Sequence, residues 1–298
     1  MSETPKRIEF IKMQGLGNDF VLINSINPKT QSQRDITLSP EDARKICHRQ
    51  FGIGCDQILW LKESDCAHAK MDILNADGSA AEMCGNGIRA AALFLAKDGP
   101  EPGQSEYKIE TGAGVLSLRI DGAEGPELVE VNMGPPEFLK SFAEGEMIQA
   151  AGREFRFYDL SMGNPHAVIF VDEPVAEIPI ESWGRPIETA ARFPLRTNVE
   201  FVETIANDRI KIRVWERGSG ATLACGTGAC AAAVTAIFHK NLALKNRKLN
   251  VELPGGVLEI RWDGDGQPVF MKGPAKRVFA AEIDLSAVNL PVNLSSDQ

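Results

Sequence analysis

Residues 82–96, EMCGNGIRAAALFLA, place a cysteine directly before a Gly-x-Gly turn that leads into an alanine-rich apolar segment. Residues 224–238, ACGTGACAAAVTAIF, repeat the same order of residue types. The small apolar residues after each turn predict buried helices, because they leave no polar face for solvent. The repetition therefore predicts two homologous halves, each with a buried helix that follows a cysteine.

Polar residues upstream of the two cysteines also keep their spacing. Gln57 and Asn75 lie 27 and 9 residues before the first cysteine, and Asn198 and Glu216 lie 27 and 9 residues before the second. Shared order together with shared spacing is the signature of an internal repeat. The four residues are therefore expected to occupy equivalent places in the two halves.

A Gly-Asn dipeptide followed by a strand-like run occurs in both halves, as GNDFVLI at 17–23 and GNPHAVIF at 163–170. If a pseudo-two-fold axis relates the halves, the N-termini of the two buried helices can face one cleft. We therefore expect Cys84 and Cys225 to lie on opposite sides of that cleft.

The composition fits a chain of two ordinary domains. It has 298 residues, of which 43% are apolar and 24% charged, and domains usually span roughly 100 to 200 residues. The net charge of -9, without a basic stripe, argues against a nucleic-acid partner. No targeting signal or membrane-spanning segment is evident, so we expect a cytoplasmic protein without a membrane partner.

The six cysteines include no Cys-x-x-Cys pair, and a chain of this length needs no disulfides to fold. The cysteines and the four histidines lack the spacing of zinc ligands, so no metal site is expected. Cys47, Cys55, Cys66 and Cys230 are interpreted as small buried hydrophobic residues.

Alternating apolar and polar residues predict strands with one solvated face, as in a mainly antiparallel sheet. The segments with this pattern are 115–120, 128–133, 153–160, 209–216 and 249–262. The LPGGV stretch within the last segment supplies the turn of a hairpin. A further helix is predicted after Ser39, where a Ser cap, a proline and two acidic residues follow one another.

A cysteine at a helix N-terminus lies where a thiolate is favoured. Unpaired backbone N–H groups and a dipole equivalent to roughly +0.5 charge stabilise an anion there, which lowers a thiol pKa from about 8.5. Glycines let the backbone approach a ligand, so the N–H groups of Gly85 and Asn86, and of Gly226 and Thr227, can bind a substrate carboxylate. One turn can thus hold both a base and a substrate.

Two such thiols on opposite sides of one carbon suit the inversion of a stereocentre. One thiolate removes the α-proton from one face, and the opposite thiol donates a proton to the other face. Helix ends at the substrate carboxylate would stabilise the carbanion. This chemistry needs no cofactor in principle, and the sequence has neither a complete dinucleotide-binding pattern nor a Walker sequence.

The blocks that carry this chemistry resemble the signature blocks of the diaminopimelate epimerase family. They are GLGNDF (15–20), NADGSAAEMCGNGIRA (75–90), GNPHAV (163–168) and ERGSGATLACGTGACAA (216–232). The likeness continues to GPAKRVF (273–279), so it covers nearly the whole chain. It implies an isomerase, independent of pyridoxal phosphate, that interconverts L,L- and meso-diaminopimelate for lysine and peptidoglycan synthesis.

The resemblance also implies an α+β fold of two pseudo-symmetric α/β lobes, each a curved, mainly antiparallel sheet or barrel around a central helix. The break NMGPPEF at 132–138 marks the expected division. We assign 1–133, with a returning C-terminal strand at 274–298, to the first lobe and 134–273 to the second. Family members are usually dimers, so a homodimer is expected.

The family's residue roles can be carried onto matching positions of this sequence. Cys84 and Cys225 become the two acid/bases, and His166 and Glu216 match positions that assist at the reacting centre. The remaining substrate-contact positions are Asn18, Gln57, Asn75, Gly85, Asn86, Asn164, Asn198, Arg217, Gly226 and Thr227, with Glu216 counted among them as well. Arg217 suits a distal carboxylate, which a guanidinium can bind with two hydrogen bonds.

Two positions depart from the family's pattern. Ala90 stands where many relatives have another cysteine, and Phe279 stands where some carry a tyrosine at the dimer interface. The phenylalanine keeps the aromatic ring but lacks the hydroxyl group, so dimerisation rests on packing alone.

Two other functions remain open from the sequence. A proline or hydroxyproline racemase would carry a histidine in the first cysteine turn, where this chain has Asn86. A redox-sensing or binding protein could use Cys84 and Cys225 as a disulfide switch, since two thiols that share a substrate carbon could also oxidise. Single cysteine mutants that keep isomerase activity would favour the switch.

Overall fold

A computed structural model describes residues 6–26, 36–121, 128–240, 242 and 247–291. The chain divides into two compact units. The N-terminal unit comprises Met1–Val129 and Pro274–Gln298, and the C-terminal unit comprises Glu130–Gly273. The assignment of two lobes at 1–133 with 274–298, and at 134–273, stays a prediction.

The N-terminal unit is built on strands that pair mainly antiparallel. Its helices and strands are β1 (Arg7–Gly15), β2 (Asn18–Asn24), α1 (Pro40–Cys47), β3 (Gln57–Lys62), β4 (Ala69–Asn75), β5 (Ala80–Ala81), α2 (Gly85–Asp98), β6 (Glu106–Thr111), β7 (Gly114–Asp121), β19 (Lys276–Asp284) and a 3-10 turn (Leu285–Ala287). The spatial order is β19-β1-β2-β3-β4-β6-β7, with β5 on β4. The β2–β3 and β4–β6 pairs are parallel.

The C-terminal unit repeats this pattern. Strand β8 (Leu128–Asn132) lies across the boundary between the two units, at Val129 and Glu130. The other helices and strands of the C-terminal unit are β9 (Glu137–Phe138), β10 (Glu146–Ala150), β11 (Arg153–Ser161), β12 (Pro165–Phe170), α3 (Ile180–Glu188), β13 (Asn198–Ala206), β14 (Arg209–Glu216), β15 (Gly220–Thr222), α4 (Gly226–Lys240), β16 (Lys248–Leu253), β17 (Gly256–Trp262) and β18 (Val269–Pro274). The order β10-β11-β12-β13-β14-β16-β17-β18 again contains two parallel pairs, β12–β13 and β14–β16.

All five predicted strand segments are strands, and LPGGV is the turn between β16 and β17. The expected antiparallel pairing holds for most pairs. The parallel pairs were not predicted, because a strand that follows a helix or a long connection carries no local sign of its direction.

Helix α1 begins as its sequence predicts. The Ser39 side chain accepts a hydrogen bond from the backbone N–H of Asp42, the Asp42 carboxylate accepts from the N–H of Ser39, and Pro40 occupies the first turn. This reciprocal capping satisfies two backbone donors that a helix end would otherwise leave free.

Helices α2 and α4 form the centres of their units. Each contacts strands from several parts of its own sheet, among them β1, β6 and β7 for α2, and β12, β14 and β17 for α4. Ala90, Ala91 and Ala92 on α2 and the alanines of α4 are fully buried, because only short side chains let a strand backbone approach a helix closely. Each unit is thus a sheet curved around a buried helix, in the α+β class predicted from the sequence.

The C-terminal return to the N-terminal unit is fixed by β19, which pairs with β1. The fully buried Arg89 on α2 strengthens it, since its Nε donates to the carbonyl oxygen of Pro274 at 3.3 Å. In the described residues no helix is long and apolar enough to cross a membrane.

Candidate active site

Cys84 caps the N-terminus of α2. Its Sγ accepts a hydrogen bond from the backbone N–H of Gly87 at 3.3 Å, as a capping side chain does. The thiol lies 3.8 Å from Oδ1 of Asn18. A Cβ added to Gly87 would lie 2.8 Å from Cδ2 of Leu59, so a side chain there would require Leu59 to move. The backbone therefore turns tightly beneath the sulfur, as the Gly-x-Gly pattern predicts.

Asn18 links this turn to a charged network. Its Nδ2 donates to Oδ2 of Asp56 at 2.6 Å, and its Oδ1 accepts from Nδ2 of Asn86 at 3.5 Å. Beside it, Asp19 pairs with Lys12 and Arg49. Burial alone would raise the pKa of Asp19, but hydrogen bonds from Arg49 and Lys12 outweigh it and lower that pKa to about 2.

Gln57 and Asn75 lie opposite each other on β3 and β4. Nε2 of Gln57 donates to Oδ1 of Asn75 at 2.8 Å, and Nδ2 of Asn75 donates to Oγ of Ser79 at 2.9 Å. The buried Oε1 of Gln57 has no hydrogen-bond partner among the described residues. This pair therefore offers an acceptor for which a ligand could supply the donor.

Cys225 precedes α4 in the same way as Cys84 precedes α2. Its Sγ accepts from the backbone N–H of Gly228 at 3.4 Å and lies 3.5 Å from Oγ1 of Thr227. Burial, followed by the nearby carboxyls of Glu216 and Glu200, raises the pKa of the Cys225 thiol well above its ordinary value. At Cys225 burial therefore outweighs the lowering of the thiol pKa that was expected at a helix N-terminus.

Glu216 stands at the end of β14, and Oγ1 of Thr222 donates to its Oε1. Burial raises the pKa of its carboxyl, while hydrogen bonds with Thr222 and Cys225 oppose that rise. Glu216 thus lies near enough to the Cys225 thiol to interact with it electrostatically.

His166 is fully buried between two partners. Its Nδ1 lies 2.8 Å from Oε1 of Glu200 and its Nε2 lies 2.9 Å from Oδ1 of Asn164. The structure thereby brings His166 and Asn164 together, as their two-residue spacing suggests. Glu200 was not predicted as a site residue, since a glutamate in the apolar run NVEFV carries no local sign of burial.

Asn198 holds the backbone at two points. Its Nδ2 donates to the carbonyl oxygen of Pro165 at 2.9 Å, and its Oδ1 accepts from the backbone N–H of Arg217 at 2.9 Å. The Arg217 side chain is exposed and makes no ion pair within the described residues. Asn198 therefore fixes the backbone at Arg217, whose side chain is exposed.

Three of the four other cysteines are buried, as predicted, with Sγ of Cys55 3.3 Å from Sγ of Cys47 and Cys230 inside α4. The prediction was wrong for Cys66, which is exposed. Cys66 lies in the turn between β3 and β4, where its Sγ contacts Oγ of Ser64 and a carboxylate oxygen of Glu110. No group of three or more metal-ligating side chains is present in the described part of the chain.

Solved structures share this architecture at low sequence identity. A phenazine biosynthesis protein of the PhzF family from Bacillus anthracis matches with a TM-score of 0.69 and 16% identity, covering 93% of this chain and 99% of that one. A probable proline racemase from Agrobacterium radiobacter matches with a TM-score of 0.68 and 15% identity, covering 93% of this chain and 92% of that one. At these identities the likeness concerns the fold alone.

Sequence comparison is more specific. A diaminopimelate epimerase from Leptospira biflexa is 41% identical over 291 residues, which cover 94% of this chain and all of that protein. Another from a Synechococcus strain is 44% identical over 290 residues, covering 92% of this chain and 97% of that protein. The family model described as diaminopimelate epimerase matches residues 10–139 and 158–278. This chain therefore belongs to the diaminopimelate epimerase family.

Proposed function

We propose that this protein interconverts L,L- and meso-diaminopimelate by proton transfer at one α-carbon, without a cofactor, in the synthesis of lysine and peptidoglycan precursors. The observation that carries the proposal is the matched placement of Cys84 and Cys225. Each sulfur accepts the backbone N–H of the glycine three residues later, at the start of the central helix of its unit. The membership of the family supports the same substrate.

In this mechanism the two cysteines act on opposite faces of the α-carbon. One removes the α-proton as a thiolate, and the other donates a proton as a thiol. The raised pKa of Cys225 supports a resting state in which Cys225 is the proton donor. After Cys225 has given its proton to the substrate, a protonated Glu216 carboxyl can transfer a proton to the resulting thiolate and be protonated again from solvent.

The negative charge that develops on the substrate lies at its reacting carboxylate. The N–H groups of Gly85 and Asn86, and those of Gly226 and Thr227, belong to the first turns of α2 and α4. Such groups lack partners within the helix and carry the positive end of its dipole. They would stabilise the carbanion where its charge is greatest, which is the main electrostatic requirement of the reaction.

The far end of the substrate carries a second carboxylate. Arg217 is exposed, and its backbone is fixed by Asn198. The unpartnered Oε1 of Gln57 is an acceptor that suits a substrate ammonium group. These groups support a substrate with a charge at each end over proline or hydroxyproline, which lack a second carboxylate.

We also propose that the protein forms a homodimer and is located in the cytoplasm. Both faces of β19 are largely exposed, and Val278 and Phe279 expose 57% and 46% of their surface. Phe279 makes an edge contact with Phe10 on the neighbouring β1. Light scattering of the wild-type protein tests the dimer; Phe279→Asp should yield a monomer, and a monomeric wild type would exclude it.

The decisive experiment measures deuterium incorporation at the α-carbon of L,L-diaminopimelate in D₂O by proton NMR, with reductant present. Proline and hydroxyproline serve as comparison substrates. Incorporation together with the meso isomer, and none with the cyclic amino acids, is the expected result. Absence of exchange with every substrate in folded, reduced protein would exclude the proposal and favour a thiol switch.

A further inference from the structure

A buried carboxyl with no assigned role lies beside the Cys225 turn. Glu200 on β13 is fully buried, and its Oε1 contacts Nδ1 of His166. Its Oε2 has no hydrogen-bond partner among the described residues. A carboxyl group kept away from water is costly unless it is paired or neutral, so its retention in the core calls for a chemical explanation.

The hydrogen bonds of His166 limit where its protons can be. Oδ1 of Asn164 can only accept, so Nε2 of His166, 2.9 Å away, must carry a proton. Nδ1 then either accepts a hydrogen bond from a neutral Glu200 or carries a second proton and donates a hydrogen bond to an ionised Glu200. In both forms the pair has no net charge, and one proton is shared between Nδ1 and Oε1.

The titratable groups that face the pair favour this neutral state. Glu216 and Cys225 are the other ionisable groups acting on it, and Glu216 adds negative charge nearby. A second uncompensated carboxylate would repel Glu216 and would also oppose a thiolate on Cys225. Sharing a proton with His166 removes that repulsion.

The N-terminal unit shows what the same position looks like without this pair. A Cβ on Gly87 would meet Cδ2 of Leu59 at 2.8 Å, and a Cβ on Gly228 would meet Oε1 of Glu200 at 2.8 Å. Glu200 therefore lies beneath the Cys225 turn as Leu59 lies beneath the Cys84 turn. The residue that pairs with the carboxyl also differs between the units. His166 on β12 is aligned with Asn198 on β13. At the equivalent place in the N-terminal unit, Phe20 on β2 is aligned with Gln57 on β3.

We propose that Glu200 is a positioning residue that shares one proton with His166, keeps the other ring proton on Nε2, and thereby fixes the amide of Asn164. With its Oδ1 occupied by Nε2–H, Asn164 presents its Nδ2 hydrogens to an acceptor atom of the substrate. This inference rests on the proposed function for its effect on turnover, but the proton arrangement can be measured without turnover.

The test uses protein labelled with nitrogen-15 in its histidine rings and compares the wild type with four variants by NMR. The chain has only four histidines, and His166→Gln identifies the signals of His166. Glu200→Gln keeps the size and one hydrogen bond, whereas Glu200→Leu reproduces the residue of the N-terminal unit. Glu252→Gln on β16, whose carboxylate pairs with Arg209 at 3.4 Å on the surface, is the matched control.

In the wild type, the Nδ1 shift should lie between the values of a protonated and an unprotonated ring nitrogen. In Glu200→Gln it should move to the unprotonated value while Nε2 keeps its proton, because an amide can donate to Nδ1 but cannot give up a proton. In Glu200→Leu the ring proton should divide between both nitrogens. The Glu252→Gln spectrum should match that of the wild type.

Turnover of diaminopimelate supplies the second measurement. Glu200→Gln should retain KM and lose about tenfold in kcat, and Glu200→Leu should also raise KM about tenfold, since Asn164 loses its fixed orientation. An Nδ1 shift that is the same in the wild type and Glu200→Gln would overturn the inference, even if Glu200→Leu does not fold. If the Nδ1 shift differs between the wild type and Glu200→Gln but the wild type has no epimerase activity, the proposed function is refuted and the proton sharing still holds.

Discussion

The two cysteine turns have the same backbone and different surroundings. Both sulfurs cap a helix and both helices follow equivalent strands, but the Cys84 turn rests on Leu59 and the Cys225 turn rests on Glu200. An ionisable group beneath one turn and an alkyl group beneath the other make the two thiols chemically unequal. The repeated turns thus supply the symmetry that the proposed two-base reaction needs, and the buried side chains below the turns make its two ends different.

The largest effect should come from removing either thiol. Cys84→Ala and Cys225→Ala should each lower epimerisation by at least about a thousandfold, since each loses one of two proton-transfer groups. Cys230→Ala, inside α4 and away from the turn, should remain active. Deuterium exchange and isomer formation measure the effect, and turnover in either catalytic mutant would contradict the two-base scheme.

Glu216→Gln should separate the two turns by their pH dependence. The Glu216 charge is, after burial, the main cause of the raised pKa of Cys225, so a neutral amide should lower that pKa. Because Cys225 must be protonated to act as the donor, the alkaline limb of the kcat profile should move to lower pH. We expect a loss of about a hundredfold in kcat.

The control for this prediction is Glu203→Gln on β13, whose carboxylate accepts a hydrogen bond from the backbone of Val175. An amide oxygen can keep that bond, so the pH profile should not change. An alkaline limb that stays in place in Glu216→Gln would show that the carboxyl does not set the titration of Cys225.

Alanine in place of Gly87 or Gly228 compares directly the side chains that lie beneath the two cysteine turns. In Gly87→Ala the new Cβ meets the end of the Leu59 side chain, which can rotate away, and alanine favours the helix. In Gly228→Ala it meets Oε1 of Glu200, which the bond to His166 holds in place. Gly228→Ala should therefore cost about 1–3 kcal/mol in the free energy of unfolding and Gly87→Ala less than about 1 kcal/mol.

Urea unfolding with both alanine variants at one pH measures these free energies. Equal losses at the two glycines would mean that the carboxyl beneath Cys225 is as free to move as the leucine beneath Cys84. A larger loss in Gly87→Ala would reverse the comparison.

The smallest effect concerns Asp19, which follows the Gly-Asn turn of the N-terminal unit where the C-terminal unit has Pro165. Its pKa is lowered from 3.8 to about 2 in the folded chain. A lowered folded pKa gives stability that is present above about pH 4 and is lost as the pH falls towards 2. With screening by water, Asp19→Asn should cost about 1–2 kcal/mol at neutral pH.

The free energy of unfolding, measured from pH 7 to pH 2, tests this dependence. The difference between the wild type and Asp19→Asn should shrink as the pH falls through the range between the two pKa values. Asp72→Asn, which removes an exposed pair with Lys62, should cost less than about 1 kcal/mol. A constant difference for Asp19→Asn at all pH values would show that its carboxylate is not held by the ion pairs.

Features that depend on neighbours along the chain could be predicted from the sequence. The cap of α1, the alternating strands, the hairpin at LPGGV and the helices after both cysteines follow from residues within a few positions of each other. The repeated blocks also determined the family, because their order and spacing persist over almost the whole chain. These are local signals, and local hydrogen bonds and side-chain periodicity create them.

Which charged residues lie beside the cysteines depends on contacts between distant parts of the chain. Asp56, just before β3, reaches Asn18 on the adjacent β2, and Glu200 reaches His166 from 34 residues away through a parallel pairing of β12 and β13. A glutamate in an apolar run looks the same in sequence whether it is exposed or buried. Its burial, its shared proton and its effect on Cys225 arise from the packing of strands around α4, which no short stretch of sequence encodes.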